Sequence, residues 1–171
     1  MNGPVDLLVY AFNEQGKADE VLKDLRQLDR EGVIDILNAA VLVRNEKGRA
    51  RLKETEDVSA GRGALFGAVV GGLIGLLGGP VGAVLGMAAG AATGGASAHL
   101  IDMGFSNEHL EEIQESLPPG SSAIVALIEH EWVERVIAEL EAFEGTLFRQ
   151  ALKAEIAIQL AESGAEEELE D

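Results

Sequence analysis

The sequence predicts an α+β fold: a ferredoxin-like antiparallel sheet with helices on one face, interrupted by an inserted glycine-zipper helical hairpin. Short apolar runs of strand length alternate with segments whose apolar residues recur at helical spacing. Without the middle of the chain, the first six of these elements follow the order β-α-β-β-α-β, which is the ferredoxin-like pattern. The middle of the chain, residues 63–98, carries no charge and is rich in glycine.

Residues 1–60 form the first half of the α+β domain in this prediction. Val5–Phe12 is an apolar run of strand length, and a turn-like sequence follows it. The next segment has a helical apolar face, and Gly32 is placed to end that helix. This face contains Ala18, Val21, Leu22, Leu25 and Leu28. Ala39–Arg44 and Arg49–Thr55 then form a hairpin.

Residues 102–163 form the second half of the domain and a terminal helix. Ser106 is placed to cap a helix whose apolar face contains Leu110, Ile113 and Leu117. Ser121–Glu129 is a buried-strand candidate, and Thr146–Leu152 is a last strand. Between these strands lies a third amphipathic helix, with an inward face of Val133, Val136, Ile137, Leu140 and Phe143. Ala154–Glu162 is a short terminal helix, and residues 164–171 are an acidic tail.

The distribution of charge excludes several classes of function. The formal net charge is −17, which excludes free nucleic acid as a partner because phosphate binding needs a basic surface. The acidity is concentrated at one end: residues 1–62 carry a net charge of −2 and residues 99–171 carry −15. The chain contains no cysteine, which excludes disulfides, thiolate metal sites and a cysteine nucleophile. The opening residues lack a basic region, so no secretory signal is predicted.

The glycines of the insertion, residues 61–101, recur every four residues in two runs. Positions four apart share one helical face, so each run makes a strip without side chains that lets another backbone approach closely. The sequence Gly78-Gly79-Pro80 interrupts the pattern and predicts a turn between two antiparallel helices. The residues predicted to pack or self-associate are Gly63, Gly67, Gly71, Gly75, Gly79, Gly82, Gly86, Gly90 and Gly94.

The surroundings of this hairpin have two interpretations. Its two arms would span about 25 Å and about 30 Å at the helical rise, which is close to the thickness of a bilayer core. The first arm is apolar enough to insert into lipid, whereas the second is only weakly apolar. The alternative is a seam of packed helices buried in a soluble oligomer. In the membrane interpretation both termini are cytoplasmic, and in the alternative the whole protein is cytoplasmic.

Three segments resemble a known family. They are Ala39–Thr55, Leu117–Glu129, and the insertion together with His99–Ile113. The chain is similar over residues 5–160 to the bacterial and archaeal proteins grouped as domain of unknown function 1269, which are predicted membrane proteins. The resemblance implies the inserted hairpin and a membrane location. It supplies no catalytic or ligand-binding residues.

Few side chains stand out as chemical sites. Arg49, Arg51 and Lys53 alternate, so they share one face of a strand and could contact an anionic surface. The alternative interpretation is an edge strand protected by cations. His109 and Glu112 have the i, i+3 spacing of helical metal ligands, but one helix offers too few ligands, so we predict a solvated face and no metal. No nucleophile–base pair or cofactor motif is present, which predicts no cofactor and no enzyme activity.

These observations lead to two hypotheses of function. The first is a non-enzymatic, membrane-associated protein that self-assembles through the glycine-zipper hairpin, with a cytoplasmic α+β domain that binds itself or another protein. The second is a soluble homo-oligomeric scaffold or cargo-type component whose hairpins bundle into a common apolar core. Both hypotheses predict a homo-oligomer, and only the first predicts a membrane as a partner.

Overall fold

The protein was analysed as a computed structural model, which describes residues 4–53, 60–77, 100–101 and 104–152. These residues form an α+β domain with a five-stranded antiparallel sheet and four helices. The strands are β1 (Val5–Phe12), β2 (Asn38–Arg44), β3 (Ala50–Lys53), β4 (Ser121–Glu129) and β5 (Thr146–Ala151). The helices are α1 (Lys17–Arg30), α2 (Ala60–Leu77), α3 (Asn107–Ser116) and α4 (His130–Leu140). The α+β class predicted from the sequence is therefore confirmed.

The strands lie in the order β3-β2-β4-β1-β5, and every neighbouring pair is antiparallel. Helix α1 connects β1 to β2, and β4 lies between those two strands. Helix α4 connects β4 to β5 in the same way, with β1 between them. The sheet therefore consists of two interleaved β-α-β units, with β3 added at one edge.

Helices pack on both faces of the sheet, so the prediction that they lie on one face is wrong. One face of β1, which includes Leu8 and Tyr10, forms an apolar core with α1 and α4. The other face, which includes Leu7 and Val9, forms a second core with α2 and α3. The physical reason is that β1 and β4 are apolar on both faces, so each face must be covered to remove it from water.

Local chain signals explain where the helices begin and end. Ser106 accepts a hydrogen bond from the backbone N–H of His109 at 3.1 Å, which confirms the predicted cap of α3. Gly32 has φ +73° just after the end of α1, a conformation that favours glycine, and this confirms the predicted stop. Helix α1 has no side-chain cap from its own N-cap residue. Instead Ser122 of β4 accepts from the N–H of Ala18 at 3.1 Å, which ties the start of α1 to the sheet.

Candidate functional site

Helix α2 uses its large apolar side chains inside its own domain. Phe66, Val70, Leu73 and Leu77 are each at most 2% exposed and belong to the core that covers one face of the sheet. The opposite side of the helix is built differently. We define the outer flank of α2 as Gly67, Gly71 and Ile74, which share one helical face by their spacing.

The two glycines of the outer flank are exposed. A Cβ atom placed on Gly67 or on Gly71 would meet no described residue within 4 Å, so no part of the chain that the structure describes covers these positions. Ile74 is half-buried beside them. The flank is therefore uncharged and has no protruding side chains at the two glycines.

The other predicted glycines have different surroundings. Gly75 is buried, so the first predicted ladder does not present one uniform face. Gly63 lies within α2, and the structure describes only its backbone. The remaining predicted positions lie outside the described residues, and so does the second arm of the predicted hairpin except for Leu100 and Ile101. These positions are Gly79, Gly82, Gly86, Gly90 and Gly94.

Leu100 packs closely against α2 at Gly72, a glycine that the sequence analysis did not select. A Cβ placed on Gly72 would lie 3.0 Å from two side-chain carbons of Leu100, which is tighter than an ordinary van der Waals contact. Gly72 is outside the four-residue ladder. Its signal in the sequence is that it follows Gly71 directly, so the helix has bare positions on two faces rather than one.

No helix in the described part of the chain is long and apolar enough to cross a membrane. Helix α2 was the predicted first arm of a membrane hairpin, but its apolar side chains pack against the sheet. The described residues therefore do not support its insertion into lipid.

The predicted cationic residues lie at the β3 edge of the sheet, which we define as residues 49–53. Arg49, Arg51 and Lys53 are all exposed. The Nζ atom of Lys53 lies 2.8 Å from Asp19 Oδ2 on α1. Hydrogen bonds from Lys53 and then Lys23 hold the pKa of Asp19 below its usual value. Arg51 lies opposite Val43 and has no ion pair among the described residues.

Four charged or titratable residues meet near β5, which is the edge strand of the sheet opposite to β3. We call Asp6, His130, Glu134 and Arg149 the Asp6 cluster. Asp6 lies in β1 and its side chain is only 2% exposed. Its Oδ2 atom is 2.9 Å from Nδ1 of His130, and its Oδ1 atom accepts from Nε of Arg149 at 3.1 Å. Arg149 also donates to Glu134 at 2.8 Å.

The geometry of the Asp6 cluster fixes a hydrogen-bonding arrangement. Nδ1 of His130 also lies 3.3 Å from Nη2 of Arg149, but its shorter 2.9 Å contact with the Asp6 carboxylate favours the tautomer in which Nδ1 carries the proton and donates it to Asp6. The hydrogen bond to Asp6 is the main cause that raises the pKa of the Arg149 guanidinium. The cluster therefore satisfies a buried carboxylate and ties together β1, β5 and the start of α4. The sequence analysis missed it, although Asp6 is the only acid inside the first apolar run.

The profile of a family described as "Protein of unknown function (DUF1269)" matches residues 64–163, more than half of the chain. The chain belongs to this family. Its description states no membrane location. No curated protein and no solved structure is significantly similar to the chain.

The DUF1269 match includes the outer flank of α2 and most of the Asp6 cluster. It begins at residue 64, so it does not include Asp6 or the β3 edge, which belong to the N-terminal half of the domain. The resemblance seen in the sequence extended to residue 5, and the profile match is shorter at that end.

The described part of the chain brings together no group of three or more potential metal ligands. His109 is half-buried between the rings of Phe105 and Phe148, and its Nδ1 atom lies 3.3 Å from Oε1 of Gln150. The ring therefore bridges α3 to β5 by packing and a hydrogen bond. Glu112, its predicted neighbour in a metal site, is exposed.

Proposed function

We propose that this DUF1269 protein is a non-enzymatic, self-associating protein whose copies pack together along the outer flank of α2. The observation that carries the proposal is the exposure of Gly67 and Gly71, where an added Cβ would meet nothing within 4 Å among the described residues. Glycines in a water-exposed helix cost about 1 kcal/mol each relative to alanine. Close packing against a second helix offsets that cost, because backbones can approach where side chains are missing.

Helix α2 also packs near β3, the strand at one edge of the sheet. Leu52 of β3 is 41% exposed and lies opposite Leu42, on the face of the sheet that α2 covers. A single exposed apolar side chain is normal on a protein surface and does not by itself mark a contact site. The proposed interface therefore consists of the outer flank of α2 alone.

Of the two hypotheses, the geometry favours the homo-oligomeric scaffold. The apolar side chains of α2 that lipid would have to solvate already lie in the core of the domain. Membrane attachment through residues outside the described ranges stays a prediction. Cell fractionation distinguishes a membrane-attached protein from a soluble scaffold. Protein that remains in the supernatant without detergent as a large particle favours the scaffold.

The test is a double substitution, Gly67→Leu with Gly71→Leu, measured by native mass spectrometry. We expect the oligomer to dissociate, while circular dichroism shows an intact α+β domain, because no described residue lies within 4 Å of either added Cβ. The matched control is Gly16→Leu, since Gly16 also has nothing within 4 Å and lies at the start of α1. An unchanged oligomer mass in the double variant would contradict the proposal.

A ferredoxin-like core is also part of the proposal. The four strands β2-β4-β1-β5, joined by α1 and α4 on one face, have the split β-α-β arrangement of that fold. In this assignment β3, α2 and α3 are additions between the second and third core strands. The sequence analysis assigned β3 and α3 to the core instead. A glycine-zipper hairpin formed by α2 and residues 81–101 stays a prediction.

A further inference from the structure

The β3 edge is a cationic strand in an acidic protein. Residues 44–53 contain five of the 13 Lys and Arg residues and a single acid, Glu46. Two of these cations have structural partners: Arg44 donates to backbone oxygens and Lys53 pairs with Asp19. Lys47, Arg49 and Arg51 have no ion pair among the described residues. Among the described residues, positive charge without an ion-pair partner is therefore concentrated along one edge of the sheet.

The backbone of this edge is also available for pairing. Strand β3 is bonded to β2 and is last in the strand order, so no described strand lies on its outer side. The N–H of Asn45 donates to the carbonyl oxygen of Arg49 at 2.9 Å. Because bonded and non-bonded pairs alternate in an antiparallel ladder, Arg51 and Lys53 bond to β2, whereas Ala50 and Leu52 direct their N–H and C=O groups outward.

Along the β3 edge, cationic side chains lie on one face of the sheet and an apolar side chain lies on the other. Arg51 and Lys53 lie on the α1 face of the sheet, opposite Val43 and Val41. Leu52 lies on the other face and is 41% exposed. A strand that pairs here should therefore carry acids at alternate positions with an apolar residue between them, because opposite charges in cross-strand pairs attract and like charges repel.

We propose that the acidic segment at residues 166–171 of the same chain, EEELED, adds to the β3 edge as a sixth, antiparallel strand. With Leu169 opposite Leu52, Glu170 lies opposite Arg51 and Glu168 lies opposite Lys53. The period of two then places both acids on the cationic face and the leucine on the apolar face. A second copy of β3 would be repelled by this edge, since it would bring the same cations together.

The length and direction of the chain fit this pairing. The N–H of Leu152 donates to the carbonyl oxygen of Val5 at 3.1 Å, so the chain leaves β5 at the end of the sheet where β3 also ends. A strand added outside β3 lies five strand spacings from β5, about 24 Å. Residues 153–165 can span about 43 Å when extended, which leaves enough chain to pass around the helices. A segment that enters at this end and runs along β3 is antiparallel to it.

The experiment is amide hydrogen exchange of Leu52, measured by NMR on the full chain. We expect its outward N–H to exchange at least about tenfold faster in the variant Glu168→Lys with Glu170→Lys than in the wild type. The matched control, Glu155→Lys with Glu162→Lys, makes the same change of net charge outside residues 166–171 and should leave the exchange slow. The swap Arg51→Glu with Glu170→Arg should restore protection that Arg51→Glu alone removes.

Several results would overturn the proposal. Fast exchange of Leu52 in the wild type would show that nothing pairs with the edge. Equal acceleration by the control would show a general effect of charge. Protection that rises with protein concentration would mean that the segment comes from a second copy rather than from the same chain. The proposal does not depend on the outer flank of α2, because the oligomer mass and the exchange of Leu52 are separate measurements.

Discussion

Removing Arg149 should destabilise the domain, and removing Asp6 as well should recover part of the loss. Asp6 is 2% exposed and its Oδ1 atom depends on Nε of Arg149 at 3.1 Å. Arg149→Leu leaves a buried carboxylate with His130 as its remaining partner. Loss of one member of a buried ion pair costs about 3–5 kcal/mol. Because the Arg149 side chain is 32% exposed and His130 still donates, we expect a loss of about 2–3 kcal/mol.

The assay is urea unfolding at fixed protein concentration, followed by the fluorescence of Trp132, the single tryptophan. A loss of this size also lowers the melting temperature of a chain of this length by about 5–10 °C. The double variant Asp6→Leu with Arg149→Leu should be at least about 1 kcal/mol more stable than Arg149→Leu alone, because it leaves no buried charge. Glu134→Gln is the control: Glu134 is 78% exposed, and its pair should contribute at most about 0.5 kcal/mol.

Two results would refute this reasoning about the Asp6 cluster. If Arg149→Leu costs less than about 0.5 kcal/mol, the carboxylate of Asp6 does not need the guanidinium. If the double variant is less stable than the single variant, the two side chains contribute separately, through their own packing rather than through their charge pair. Either result would show that the ion pair of the Asp6 cluster does not stabilise the contact of α4 with β1 and β5.

Two further substitutions test the packing and the charges of the domain. Gly145→Ala should cost about 1–3 kcal/mol in thermal unfolding, because its Cβ would overlap Cε1 of Tyr10 and lie 2.7 Å from the carbonyl oxygen of Ala11. Gly16→Ala, with no described residue within 4 Å of the added Cβ, should be near neutral. Lys53→Gln should lower stability at pH 7 by about 0.5 kcal/mol, and the difference from the wild type should shrink as the pH falls below the usual pKa of Asp. The pKa of Asp19 is lowered in the folded state, so its pair with Lys53 stabilises the fold above the usual Asp pKa and is lost as pH falls through the folded value. A difference that persists in acid would contradict this origin.

The strands were the most predictable part of the fold. The predicted bounds of β1 and β4 agree with the structure, because both are long apolar runs closed by turn sequences. Their apolar residues do not alternate with polar ones, which indicates burial on both faces. This pattern is visible in the sequence. The prediction that the helices lie on one face was based instead on the β-α-β-β-α-β order of the elements. The order of elements does not determine which face of a sheet a helix covers.

The candidate sites were less predictable, because they depend on which side of a helix meets the sheet. The four-residue glycine period predicted a helix at α2, but not that Gly67 and Gly71 would be exposed while Gly75 is buried. The Asp6 cluster joins residues more than 120 positions apart in the chain. No local pattern contains such a contact. Only the pairing of β1 with β4 and β5 brings Asp6 next to His130 and Arg149.

The packing of α2 on the sheet gives its large apolar side chains a different environment from that of Gly67 and Gly71. Its apolar side chains belong to the core on one face of the sheet, whereas Gly67 and Gly71 on its outer flank are exposed. A helix that used both sides for lipid would leave one face of the sheet uncovered, exposing Leu7, Val9 and Leu127, which are each 1% exposed now. Exposing that face would cost several kcal/mol, at about 25 cal/mol per Å² of apolar surface. Any assembly through α2 must therefore leave its inner side in place, so the proposed contact with a partner is limited to the outer flank.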